Sequence, residues 1–170
     1  MYYMWKHSYR VGVLTASDKG AAGQREDKSG ALIQERMRAL GCEIAEYRVV
    51  ADDFETLSHQ LLEWSTRGGI DLILTTGGTG LSPRDCTPEA TLAIADRLVP
   101  GISEAIRAKS MTITPRAMLS RGMSVICRQT LIINLPGSPK AVDESLDVIV
   151  DVLEHGLDIL CSHDSECARS

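Results

Sequence analysis

Two short, nearly unbroken apolar runs constrain this chain most: Asp71–Thr76 (DLILTT) and Leu131–Leu135 (LIINL), each running into a turn rich in glycine or proline and then a helix start. A strand that is apolar at successive positions is covered on both faces, as parallel strands are when helices cross over them. Tyr9–Ala16 (YRVGVLTA) and Ile44–Val50 read as two further strands. Between them, Leu32, Ile33, Met37 and Leu40 recur at helical spacing over Ser29–Leu40, and Gly41 stops the helix. Asp53 is placed to cap a helix reaching Trp64, with Leu57, Leu61, Leu62 and Trp64 as its apolar positions. Thr87-Pro88-Glu89 reads as another helix start: a capping hydroxyl, a proline at the first helical position, then an acid near the positive end of the helix dipole. Ala141–Leu160 is a long helical pattern. Strands alternating with helices predict an α/β fold, a three-layer α/β/α sandwich on a mainly parallel central sheet.

The 170 residues suit one domain spanning 1–170, with short polar tails at 1–8 and 161–170. Apolar residues make up 44% of the chain, enough for a core, yet no apolar run approaches the roughly 18 residues of a membrane span. Met1–Arg10 lacks the apolar stretch of an export signal. A net charge of −5, with only two Trp, four Tyr and one Phe, argues against a nucleic-acid module, which needs a basic face or stacking platforms. The five cysteines (Cys42, Cys86, Cys127, Cys161, Cys167) are odd in number and scattered, which suits the reducing cytoplasm better than a disulfide framework.

Ligands of parallel α/β sheets bind beyond the carboxyl ends of the strands, so the strand-to-helix loops are where chemistry is expected. In Thr75-Thr76-Gly77-Gly78-Thr79-Gly80 the glycines allow tight turning and let successive amides face an anion; a glycine turn without a ligand has the same composition. The stretch matches neither the P-loop nor the dinucleotide fingerprint. Asp85 follows it beside Arg84. A carboxylate next to a phosphate cradle makes sense if a divalent cation such as Mg²⁺ bridges the two, and otherwise if Asp85 pairs with Arg84 or caps the helix at Thr87. In Val50-Ala51-Asp52-Asp53, Asp53 is the better cap and Asp52 is left free to face the cleft, unless both merely cap and solvate. The polar loop from Ser17-Asp18 to Asp27-Lys28-Ser29-Gly30 is longer than a plain connection needs. Asn134-Leu135-Pro136-Gly137-Ser138-Pro139-Lys140 is a rigid turn able to meet a flat base, with Lys140 near a phosphate, or else a simple strand stop. Cys161-x-His163 with Cys167 is a poor zinc set, having no fourth soft ligand nearby. No serine sits in a nucleophile elbow.

Taken together, these loops resemble the molybdenum-cofactor biosynthesis family that includes molybdopterin adenylyltransferases and the N-terminal domain of gephyrin. The matching stretches are Gly12–Asp18 with Asp27-x-Ser29-Gly30, then LILTTGGTGLSPRDCTPEAT, ITPRAMLSR and LIINLPGSPKAV, in the family order from about Val11 to about Leu160. The resemblance implies transfer of an adenylyl group from ATP to the terminal phosphate of molybdopterin, with Mg²⁺ as the metal, a homotrimer as the assembly, and a molybdate-insertion protein downstream. It makes Gly77, Gly78, Thr79 and Gly80 the binders of substrate phosphate. Asp52 and Asp85 become the catalytic, metal-holding acidic pair. Pro136, Gly137 and Ser138, with Ser17 and Asp18, become nucleotide and substrate surroundings. Ala51 stands where relatives usually carry proline before the acid. A related branch keeps the fold with unclear activity, so a pterin- or nucleotide-binding protein without catalysis is the alternative. Arg84, Arg121 or Lys140 would supply positive charge, and no protein nucleophile is required because the molybdopterin phosphate attacks.

Overall fold

A computed structural model describes residues 3–162. In chain order the elements are β1 (Arg10–Ala16), α1 (Asp18–Ala21), α2 (Lys28–Ala39), β2 (Glu43–Val50), α3 (Phe54–Arg67), β3 (Leu72–Thr76), α4 (Thr87–Ala93), β4 (Arg97–Leu98), α5 (Pro100–Met111), a 3₁₀ turn at Pro115–Leu119, β5 (Ser124–Cys127), β6 (Thr130–Leu135) and α6 (Pro139–Leu160). One six-stranded sheet has the order β2-β1-β3-β6-β5-β4. β2, β1, β3 and β6 run parallel, while β5 is antiparallel to both β6 and β4.

The sheet is covered on both faces. Ile33 and Met37 of α2, Ile106 of α5 and Val142, Leu146, Ile149 and Leu153 of α6 pack on Val11, Val13, Leu72, Leu74, Ile133 and Leu135. On the other face Leu57, Leu61 and Trp64 of α3 and Ala90 of α4 pack on Leu14, Ile73 and Ile132. β3 and β6 are therefore buried at every position, as continuous apolar runs require. This is the expected three-layer α/β/α sandwich.

The leading segment departs from the expectation of a polar tail. Trp5 is buried, its ring meeting Tyr9 edge-on at 6.0 Å, and its backbone N–H donates to Leu40 O at 3.0 Å. At the other end α6 stops at Leu160 with Cys161 as its C-cap, the half-buried thiol 3.5 Å from Asp71 Oδ1; His163 and Cys167 lie outside the described residues.

The register places the site. Ala16 pairs with Val50, Thr15 with Thr76, and Thr76 with Leu135, so four parallel strands end at one edge. Their following loops, 17–27, 51–53, 77–86 and 136–138, meet there.

Candidate active site

Gly77 and Gly78 both take left-handed backbone, with φ of 89° and 68°. A β-carbon at Gly77 would collide with Ala16 O; one at Gly78 would run into Thr87 Oγ1 and stand 3.2 Å from Asp52 Oδ1. The N–H groups of Gly78, Thr79 and Gly80 donate to no acceptor among the described residues. Successive free amides on such a turn form a concavity for an anion. Gly137 packs against Gly77, and Thr76 Oγ1 donates to Pro136 O at 2.6 Å, so the loop after β6 is locked beside the glycine loop. Ser29 Oγ adds a 2.7 Å bond to Gly137 O. Ser138 caps α6 through Ala141 N–H, and Ser17 caps the one-turn α1 through Gly20 N–H. Pro136, Gly137, Ser138 and Ser17 thus all sit at the converging loops.

Asp52 and Asp18 are tied reciprocally: Asp18 N–H donates to Asp52 Oδ2 at 3.1 Å and Asp52 N–H donates to Asp18 Oδ1 at 3.0 Å. Arg84 grips Asp18 with two hydrogen bonds, 3.0 and 2.8 Å. That pairing, then the Asp52 amide, holds the Asp18 carboxyl below the usual carboxylate range. Asp52 goes the other way. Burial, with the neighbouring charges of Asp18 and Asp85, raises its carboxyl pKa. Asp53 caps α3, accepting Thr56 N–H at 2.9 Å and the Thr56 hydroxyl at 2.7 Å, which lowers its pKa. The tandem acids therefore divide as the sequence implied: Asp53 serves the helix, and Asp52 faces the glycine loop.

Asp85 neither pairs with Arg84 nor caps α4. Its Oδ2 accepts Ser82 N–H at 3.2 Å and lies against Gly80. Asp52 and Asp85 thus meet the same loop at different glycines, Asp52 at Gly78 and Asp85 at Gly80. Among the described residues no three His, Cys, Asp or Glu side chains form a ready-made metal cage. Two carboxylates completed by phosphate oxygens is a set that suits Mg²⁺, so these residues fit a metal that arrives with a nucleotide.

Two expectations need correction. Thr87 is not the cap of α4: Cys86 holds that position without a side-chain hydrogen bond, and Thr87 lies inside the first turn, its N–H bonded to Gly78 O at 3.1 Å. That bond draws the threonine over the loop and turns its hydroxyl toward Gly78. Arg121 is not a spare phosphate ligand. It donates to Gly80 O at 2.7 Å and Asp85 O at 2.9 Å, pairs with Glu89, and its backbone N–H bonds Thr79 O at 2.9 Å. It staples the glycine loop to the RDxT turn. Lys140, by contrast, has a side chain that is 84% exposed, with Glu144 at 3.9 Å.

A cleft of about 310 Å³ opens beside Thr79 and Gly80. Ile106 and Arg107 of α5, Thr114 and Arg116 of the ITPRAMLSR segment, and Ser145 of α6 wall it, and Asn134 forms part of its floor. The sequence marks this wall only through ITPRAMLSR, since α5 has no periodic apolar face that predicts a helix. Asn134 carried a usable signal: a polar residue inside an apolar strand must find partners. Its amide donates to Thr75 and Thr91 hydroxyls at 3.0 and 2.9 Å, and its Oδ1 accepts Met123 N–H at 3.1 Å.

A parallel sheet whose loops gather a glycine cradle and two acids beside a cleft defines a class: α/β proteins that bind phosphorylated ligands at the carboxyl edge. The chain belongs to the family described as the probable molybdopterin binding domain, whose model matches residues 12–155. It is 39% identical over 157 residues to molybdopterin adenylyltransferase of Escherichia coli K12, covering 89% of this chain and 80% of that one. It is 42% identical over 162 residues to gephyrin of Dictyostelium discoideum, covering 89% of this chain but 22% of that longer protein. Among solved structures, molybdopterin biosynthesis enzyme MoaB of Thermus thermophilus superposes with a TM-score of 0.85 at 47% identity, covering 91% of this chain and 97% of that one. Mog of Mycobacterium ulcerans gives 0.85 at 40% identity, covering 90% and 99%.

Proposed function

We propose that the chain is a molybdopterin adenylyltransferase. An oxygen of the molybdopterin terminal phosphate attacks the α-phosphorus of ATP, the bond to the bridging oxygen breaks, and pyrophosphate leaves. The observation that carries this reading is the Gly78–Gly80 turn, whose amides have no acceptor among the described residues and whose Gly78 lies against Asp52. The similarity to curated adenylyltransferases supports it. Such a transfer asks the protein to hold two polyanions in line and to offset charge developing on the leaving group. The loop amides bind a substrate phosphate, Lys140 meets another, and the cleft by Asn134 receives a flat ring. Asp52 and Asp85 would hold Mg²⁺, which neutralises phosphate charge when bound.

Among the described residues no helix is long and apolar enough to cross a membrane, and the four described cysteines are free thiols. Free thiols fit a cytoplasmic setting. We expect a homotrimer, handing adenylylated molybdopterin to a molybdate-insertion protein. The deciding assay is pyrophosphate release from ATP with and without molybdopterin. Release that requires molybdopterin supports the reading; binding of both substrates without release makes the chain a binding protein only.

A further inference from the structure

Among the described residues one buried side-chain polar atom lacks a hydrogen bond, the hydroxyl of Thr87. Other buried hydroxyls find partners close by. Ser65 and Ser145 bond carbonyls one turn back in their helices, at 2.8 and 2.6 Å, and Thr130 bonds Ile70 O at 2.7 Å. Thr87 is the first residue of α4, so no carbonyl of its own helix lies one turn before it. Leaving a dry hydroxyl unpaired is destabilising, whereas valine fills almost the same space without that penalty.

The direction of the hydroxyl gives it a use. Thr87 Oγ1 and Asp52 Oδ1 abut the same face of Gly78. Asp52 Oδ2 already accepts the Asp18 amide, while Oδ1 receives no hydrogen bond among the described residues. A donor without an acceptor and a carboxylate oxygen without a donor thus meet at one glycine of the phosphate loop. We propose that Thr87 is a positioning residue: when nucleotide is bound, its hydroxyl donates to Asp52 Oδ1 and fixes that carboxylate behind the Gly78–Gly80 turn. This rests on the adenylyltransferase reading and on Asp52 as the acting acid.

The test compares Thr87→Val, Thr87→Ser and the parent protein in three measurements: melting temperature, molybdopterin-dependent pyrophosphate release, and Mn²⁺ affinity in the presence of α,β-methylene ATP, followed by electron paramagnetic resonance. Thr87→Val should melt no lower than the parent, while turnover and Mn²⁺ affinity each fall about tenfold, the scale of a hydrogen bond to a charged group. Thr87→Ser should stay within about threefold of the parent in both. Parent-like turnover and Mn²⁺ affinity in a folded Thr87→Val protein overturns the proposal. So does a Thr87→Ser loss as deep as that of Thr87→Val, because the methyl and not the hydroxyl would then matter. If Thr87→Val fails to fold, Thr87→Ala, which also removes the hydroxyl, takes its place: parent-like turnover and Mn²⁺ affinity in Thr87→Ala, or a Thr87→Ser loss as deep as its own, overturns the proposal. A parent without molybdopterin-dependent release fails a step earlier, bringing down the adenylyltransferase reading and with it this role.

Discussion

Asp52 and Asp53 are neighbours with opposite electrostatic circumstances, and their separation is testable by substitution. Asp53→Ala removes a helix cap and should cost about 1 kcal/mol in urea unfolding while leaving turnover near the parent level. Asp52→Asn should abolish most turnover. It should also raise the melting temperature at pH 7, because burial penalises the ionised form of Asp52 and asparagine still accepts the Asp18 amide. The sign of the pH effect follows from linkage: a carboxyl whose folded pKa is raised stabilises the fold when protonated and loses that contribution as pH rises through the folded value. The gap between Asp52→Asn and parent should therefore close as pH falls through the Asp52 range. Asp18 behaves oppositely, since Arg84 lowers its pKa, and stability it lends above the ordinary carboxylate range is lost in more acidic solution. At this scale the caps at Asp53, Ser17 and Ser138 follow short-range rules, which is why Asp53 was legible. Thr87 was not, because the bond from its N–H to Gly78 is set by tertiary placement and overrides the usual preference of threonine for the cap.

Most elements with a strongly buried face announced themselves, as did β2 through its run Ile44–Val50 although only Val50 of it is buried, while several short or weakly buried elements did not. β1, β3, β6, α3 and α6 place apolar residues at the spacing of their own geometry. α5 buries only Ser103 and Ile106, β5 has four residues and β4 two, both exposed, so none of them leaves a periodic trace. The cleft wall was illegible for that reason, although the ITPRAMLSR motif marked the right stretch of chain. Asn134 links the legible and illegible halves, since its side chain bonds β3, α4 and the residue before β5 at once. Asn134→Ala should cost about 2–4 kcal/mol by urea denaturation, since it strands buried partners on three elements. It should weaken molybdopterin binding as well. Stability loss under about 0.5 kcal/mol would show that β5 is held by β6 pairing alone. The glycine loop is equally committed: Gly78→Val meets Thr87 and Asp52 and forces a β-branched residue into left-handed backbone, so melting temperature and molybdopterin affinity should fall together.

The whole molecule exposes its large apolar side chains unevenly. Leu81, Leu92, Leu98, Met111, Ile113, Met118 and Leu119 all fall between residues 81 and 119, the same stretch that supplies β4, α5 and the 3₁₀ turn. Strand β4 also leaves one edge of the sheet open. Exposed apolar side chains and an open sheet edge both favour association over solvation. Such a surface favours association without fixing the number of copies; the homotrimer is what the family resemblance implies, and no periodic pattern in the sequence points to it. Sedimentation equilibrium at micromolar concentration should give about three times the 18.5 kDa chain mass. Replacing Leu92 and Leu98 together by glutamate puts charge on two exposed positions outside the cleft and should shift the mass toward 18.5 kDa with an unchanged far-ultraviolet circular dichroism spectrum. A parent protein that sediments as a single 18.5 kDa species across that range rules the trimer out. A double variant that remains trimeric moves the interface away from Leu92 and Leu98, and the same measurement on glutamate variants of Met118 and Leu119, exposed on the 3₁₀ turn, then asks whether that segment is covered instead.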